Sequence, residues 1–210
     1  MRKQSASQDG ATAQPTNADL ARIVRWVAAL NIGYFGIEFV VGLSIGSVSL
    51  FADSLDFLED ASVNTLIVIG LGWGIRNRAR LGMLLAALLM VPGLATLWTA
   101  WSKFHSLVPP DPLSLTLTGA GALIINLLCA FLLAPYRSHG GSLTKAAFLS
   151  ARNDAIANIA IILAGLITAS LWSSALPDLI VGIGIAIMNA DAAREVFNAA
   201  KDEHRFGIEA

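Results

Sequence analysis

Asp53, Asp56, Glu59 and Asp60 fall within Ser47 to Asn64, a stretch otherwise apolar enough to lie in a bilayer. At about 100° per residue on a helix, Asp53, Asp56, Asp60 and Asn64 share an arc of roughly 80°, with Glu59 on its rim. The acids therefore form a stripe. Carboxylates in hydrocarbon cost several kcal/mol unless they meet a cavity, a counter-charge or a metal, so ionisable residues placed this way mark an ion or proton pathway. An inward-facing cluster of this kind can bind a divalent cation, which displaces the protons the carboxylates would otherwise share.

Two further stretches carry polar faces that could meet the stripe. Ser150, Asp154 and Asn158 are spaced i, i+4, i+8; Asn153 flanks that face and Arg152 points the opposite way. Asn31 and Glu38, seven residues apart, lie on one face of an earlier apolar segment.

The segments that must position these residues are membrane spans. With 55% hydrophobic residues, 14% charged residues and a mean hydropathy of +0.65, the chain is more apolar than a soluble domain requires. Six apolar segments approach the roughly 20 residues a span needs: 23–45, 48–74, 81–104, 113–135, 146–171 and 175–195. The fold expected is all-α, a polytopic membrane protein of six transmembrane helices. Lys and Arg set its orientation. Arg2, Lys3, Arg22 and Arg25 precede the first segment, and Arg76, Arg78 and Arg80 lie between the second and third. Arg137 and Lys145 lie between the fourth and fifth, and Arg194, Lys201 and Arg205 end or follow the sixth. Only Lys103 falls on the other side, which places both termini in the cytoplasm; Arg152 is near enough to the fifth segment's cytoplasmic end to snorkel. Helix 2 then runs inward and helix 5 outward, so that at 1.5 Å per residue Asp56 and Asp60 reach roughly 13–20 Å depth and Asp154 roughly 13 Å, near the midplane of a ~30 Å core.

The run from Asn31 through Glu38, Gly42, Gly46-Ser47, Leu50 and Asp53 to Asp56-x-x-x-Asp60 resembles the first two helices of the cation diffusion facilitator, or cation efflux, transporters. The resemblance covers roughly residues 23–200. It implies a metal site at the membrane midplane made by a His or Asp paired with an Asp four residues later on helix 2, repeated on helix 5. Asp56 and Asp60 match the first pair and Asp154 the second member of the other. Ser150 stands where the family has His or Asp, so Asn153 or a water is the candidate for the fourth contact. An all-oxygen site would discriminate weakly among zinc, cobalt, cadmium, manganese and iron. The family's cytoplasmic metal-binding domain after helix 6 and its histidine-rich loop between helices 4 and 5 have no counterpart, with His139 alone in that loop. The expectation is thus a short form: a disordered cytoplasmic tail over 1–20, a six-helix transport domain over 21–197 and a short cytoplasmic tail over 198–210.

The function expected is secondary-active export of a divalent metal cation from the cytoplasm, by proton antiport. The transported zinc-like ion takes the place of any cofactor. Asp56, Asp60, Asp154, Ser150 and Asn153 are the metal candidates; Asn31, Glu38, Asp53 and Asn158 line or support the path. The partners are the bilayer, divalent metal ions, protons and, by the resemblance, a second copy in a homodimer; the location is the inner cell membrane if the source is bacterial. A non-transporting metal sensor or assembly partner on the same scaffold is the alternative. Nucleic-acid and nucleotide roles lack a basic stripe or a phosphate loop, and enzyme chemistry lacks a Ser-His-Asp set or HExxH. The single Cys129 offers no redox or zinc motif.

Overall fold

The computed structural model describes residues 17–70, 77, 80, 94, 96–104, 107–136, 141–188, 191, 194 and 198. These are helical except for short connections, with no strand among the described residues. The helices are α1 (Asn17–Ile45), α2 (Val48–Gly70), α3 (described over residues 96–104), α4 (Pro112–Leu133), α5 (Gly141–Ser170) and α6 (Leu176–Met188). By length and composition Ala18–Ile45, Pro112–Tyr136 and Ser150–Ser170 can cross a membrane, and α6 is a shorter apolar helix. Arg76, Arg78, His105, Arg137, His139, the first 16 residues and residues 199–210 lie outside the described residues, as does the whole 81–93 part of the third expected span, Pro92-Gly93 included.

The first helix begins earlier than the expected tail boundary at residue 20. Leu20, Val24 and Val27 form one buried stripe against Cys129 and Leu133 of α4 and Ala147 and Ala151 of α5. The stripe needs Leu20 to be helical, which pulls Asn17–Asp19 into the first turn despite their polarity. Trp26, Trp98, Trp101 and Trp172 are all more than half exposed, as residues facing lipid or its interface would be.

The turn from α1 to α2 is tight and well specified. Gly46 adopts a left-handed φ of 63°, its N–H donates to Leu43 O, and the Ser47 N–H reaches back to Gly42 O at 2.9 Å. This is a Schellman ending, in which glycine takes the conformation that a Cβ would penalise. Ser47 then N-caps α2, its Oγ accepting from the Leu50 N–H at 3.1 Å. Gly42 lets the two helices close: a Cβ there would lie 3.1 Å from Phe51 N. Ring pairs Tyr34–Phe57 and Phe39–Phe51, with centroids 5.1 and 5.5 Å apart, continue this contact.

α2 sits in the middle of the bundle. Every residue from 47 to 57 is buried, whichever way it points, so this part of the helix is covered on all sides. Leu50 and Ala52 pack with Leu115 of α4, Ile161 of α5 and Ile185 of α6. α4 and α5 pack closely, with Ile161 near Gly119 and Thr116 near Gly165. α4 buries Leu115, Gly119, Ala122, Asn126, Cys129 and Leu133, a stripe with alternating steps of four and three. The lone Cys129 is thus a packing residue, its Sγ 3.7 Å from Asn31 Oδ1.

Asp111 starts α4, accepting the Ser114 N–H at 2.8 Å with Pro112 in the first turn. These bonds hold its carboxyl below the ordinary carboxylate value. A depressed value means that the cap contributes fully above the unfolded pKa of about 3.9 and is lost as pH falls through the lower folded value. Hydrogen-exchange protection of the Ser114 amide is expected to be level above that point and to drop on further acidification; Asp111→Asn should flatten the dependence.

Candidate metal centre

The stripe on α2 is fully internal. Asp53 is 0%, Asp60 4%, Asp56 8% and Asn64 1% exposed, while Glu59 is half-buried at the rim. α5 lies alongside with the matching face inward: Asn158 is buried, Asp154 and Ser150 are partly buried. Three levels of contact join the two helices. Ser150 Oγ donates to Asp60 Oδ1 at 2.8 Å. Asp154 is the foremost electrostatic neighbour of Asp56, and Asp60 is that of Asp154. Asn158 lies beside Asp53. As the residue number on α2 falls from 60 to 53, its partner on α5 rises from 150 to 158, so the helices run antiparallel, as an acid on each helix at one depth requires.

The residues do not form a ready cage. Among the described residues, no three His, Cys, Asp or Glu side chains converge closely enough to hold a metal ion. Carboxylates without a cation between them repel, and the Ser150 hydroxyl occupies one oxygen that a metal would use. Ser150 thus faces the acids as a donor to Asp60.

Asn153 is placed elsewhere. It is exposed on the outer side of α5, where Arg152 Nη2 donates to its Oδ1 at 3.3 Å, and it does not reach the acids. Adjacency in sequence misleads here, because one step along a helix turns the side chain by about 100°. Asn153 is therefore removed from the ligand set, and Asn158, two levels along the correct face, takes its place in the polar lining.

Glu38 and Asn31 come in from α1, both fully buried. Glu38 faces Asp53 as a carboxyl pair with the Asn158 side chain beside it, and no hydroxyl or N–H lies within ordinary hydrogen-bond geometry of their four buried oxygens. Two carboxyl groups facing one another in hydrocarbon need a shared proton or a cation between them. Tyr34 lies near this pair but donates its hydroxyl to Thr118 O at 2.6 Å instead.

A correspondence between α2 and α5 was not drawn from the sequence. Asn64 follows Asp60 by four residues, and its Nδ2 donates to Asp60 O at 2.7 Å; Asn158 follows Asp154 by four, and its Nδ2 donates to Asp154 O at 2.8 Å. Both amides are buried, and both leave Oδ1 without a partner. Each helix thus presents an acid with a free carboxamide oxygen one turn further along its chain. The signal available in sequence was the shared D-x-x-x-N spacing.

Comparison with curated protein sequences returns no match. The family model of the cation efflux transmembrane domain matches residues 24–202, which includes all the helices that carry the acids. Together with the apolar α1, α4 and α5, this makes the protein an integral, multi-pass membrane protein. The chain belongs to the cation efflux, or cation diffusion facilitator, family, whose members are metal cation transporters and not enzymes.

Proposed function

We propose that the protein exports a divalent, zinc-like metal cation from the cytoplasm in exchange for protons, through six spans with both termini cytoplasmic. Asp56, Asp60 and Asp154 are the metal ligands in this reading. The observation that carries it is the meeting of α2 acids with Asp154 of α5 at one level of a buried interface, where no basic side chain accompanies them among the described residues. Buried acids without a counter-charge are tolerable when a cation visits, and ligands drawn from two separate helices suit a carrier that must also let go. Glu38, Asp53 and Asn158 line the path on the side of the α1–α2 turn, and Asn31 lies at the level of Asp60. Pairing as a homodimer and residence in a bacterial inner membrane, if the source is bacterial, belong to the same proposal.

Metal choice is governed here by position 150. A hydroxyl that already serves Asp60 is a weak ligand, so the site offers oxygens only, and discrimination among zinc, cobalt, cadmium and manganese is expected to be shallow. Ser150→His would place an imidazole beside Asp60. Isothermal titration of the detergent-purified protein should then show zinc affinity rising about tenfold over manganese. An unchanged metal series would remove position 150 from the site. Metal binding without flux in the vesicle assay described below would favour a sensor or assembly partner.

A further inference from the structure

Asp178 lies near the start of α6. Its carboxylate is completely buried and gathers five donors from two other helices. Oδ1 accepts from Ser47 Oγ and Ser49 Oγ, each at 2.6 Å, and from the Ser49 N–H at 3.2 Å; Oδ2 accepts from the Val48 N–H at 2.9 Å and from Lys103 Nζ at 3.3 Å. Lys103, on α3, also donates to the Gly46 carbonyl in the α1–α2 turn. An anion at the first turn of α2 sits at the positive end of that helix. One carboxylate therefore ties α2, α3 and α6 together at the turn end of the bundle.

The packing beneath it has the same membership. Val48 of α2, Ala100 of α3, and Ala175 and Leu179 at the start of α6 form a small buried cluster of their own. Gly182, one turn beyond Asp178, permits the approach: a Cβ there would lie 2.7 Å from the backbone of Val48 and Ser49. Below this joint α2 is covered on all sides as far as Phe57, so no side chain of α2 between it and Asp56 reaches the surface. At 1.5 Å per residue Asp56 lies roughly 12 Å along the helix from Val48. A cation leaving the acids toward the turn end therefore finds no open surface along α2, and the packing around α2 at this joint must loosen to let it pass.

We propose that Asp178 and Lys103 form a releasable latch, holding α2 against α6 while the turn end is closed and separating when the site opens to that side. Asp178 is a positioning residue, acting on the metal through the placement of α2. The joint suits release because of what it is made of. Its core contact is four small or medium apolar side chains, and each bond to the carboxylate can be exchanged for one to water at the membrane surface, where Lys103 is already partly exposed. Deeper in α2, Asp60 accepts one hydroxyl, from Ser150, and neither Asp53 oxygen has a donor within ordinary hydrogen-bond geometry, whereas Asp178 gathers five donors.

The test uses the full chain in membrane vesicles, in a Cys129→Ala background carrying Ser54→Cys, a buried α2 position between the latch and Asp56. A membrane-impermeant methanethiosulfonate is supplied on the side of the α1–α2 turn. Labelling is expected to be slow in this background and about tenfold faster with Asp178→Asn or Lys103→Met, as a shift of the closed-to-open population would give. Zinc affinity by titration should stay within about threefold, since neither residue touches the metal. Lys103→Met keeps all four α2 donors on the carboxylate and decides the matter if Asp178→Asn fails to accumulate. Unchanged labelling in Lys103→Met, or faster labelling only with a matching loss of zinc binding, would overturn the latch. The proposal rests on the transport reading, yet labelling is scored without flux, so faster labelling with no flux in any variant would count against transport alone.

Discussion

Asp60→Asn is expected to abolish metal uptake into inside-out vesicles driven by a pH gradient, with a loss of at least about a hundredfold. Removal of a group that only supports a ligand commonly costs about 10–100-fold, and loss of a charged ligand exceeds that. The substitution is chosen to separate chemistry from folding. An asparagine oxygen still accepts the Ser150 hydroxyl now bonded to Asp60 Oδ1, and the backbone carbonyl that holds Asn64 is untouched. Asp154→Asn should behave alike, because Asp60 and Asp154 are electrostatic neighbours across the same interface. Ser150→Ala, which deletes a donor and not a charge, should cost less than about tenfold, and Glu59→Gln at the half-buried rim should stay within about twofold. Full transport by Asp60→Asn and Asp154→Asn would remove both from the site.

The second large effect concerns stability and has the opposite sign from most core substitutions. Glu38→Gln should raise the resistance of the protein to unfolding by about 1–3 kcal/mol, the range for satisfying a buried polar group that had no partner. Glu38 and Asp53 face each other with four buried oxygens, so one of them must take up a proton before it can bond the other. A glutamine of nearly the same shape brings an NH₂ that can donate to Asp53. Glu38→Ala should instead destabilise, since it leaves both a void and an unaccompanied Asp53. Thermal unfolding in detergent, followed without added metal, measures both. Should Glu38→Gln unfold earlier than the parent, the pair would be shown to need both carboxylates, as it would with a cation held between them.

Where the sequence was informative, helix periodicity was the reason. The acids of α2 and the Ser150–Asp154–Asn158 face repeat every three or four residues, so their convergence follows from two helices packing with those faces inward. Their antiparallel register came from the placement of Lys and Arg. Asn153 went wrong because proximity in the chain was allowed to outweigh the angle it makes with Asp154. The start of α1 was missed because the polar residues Asn17 and Asp19 conceal that Leu20 belongs to the stripe of Val24 and Val27. The role of Asp178 is not legible in the sequence for a different reason. Its partners Ser47, Val48 and Ser49 lie about 130 positions away, and no local pattern announces that a carboxylate on α6 will cap α2. The orphaned oxygens of Asn64 and Asn158 could be found only once the amide nitrogens had been assigned to backbone carbonyls.

The complete enclosure of α2 bears on how the protein is made. A helix with four acids is a poor candidate for lateral release into lipid as a single segment. Its neighbours in the finished bundle include α4, α5 and α6, which the ribosome delivers later. During synthesis α2 can lean only on α1, to which it is joined by the Gly46 turn and the close contact at Gly42. The two should therefore enter the membrane as a hairpin, with the acids shielded provisionally until the C-terminal half arrives. Biogenesis, no less than transport, then sets how many carboxylates the second helix can carry.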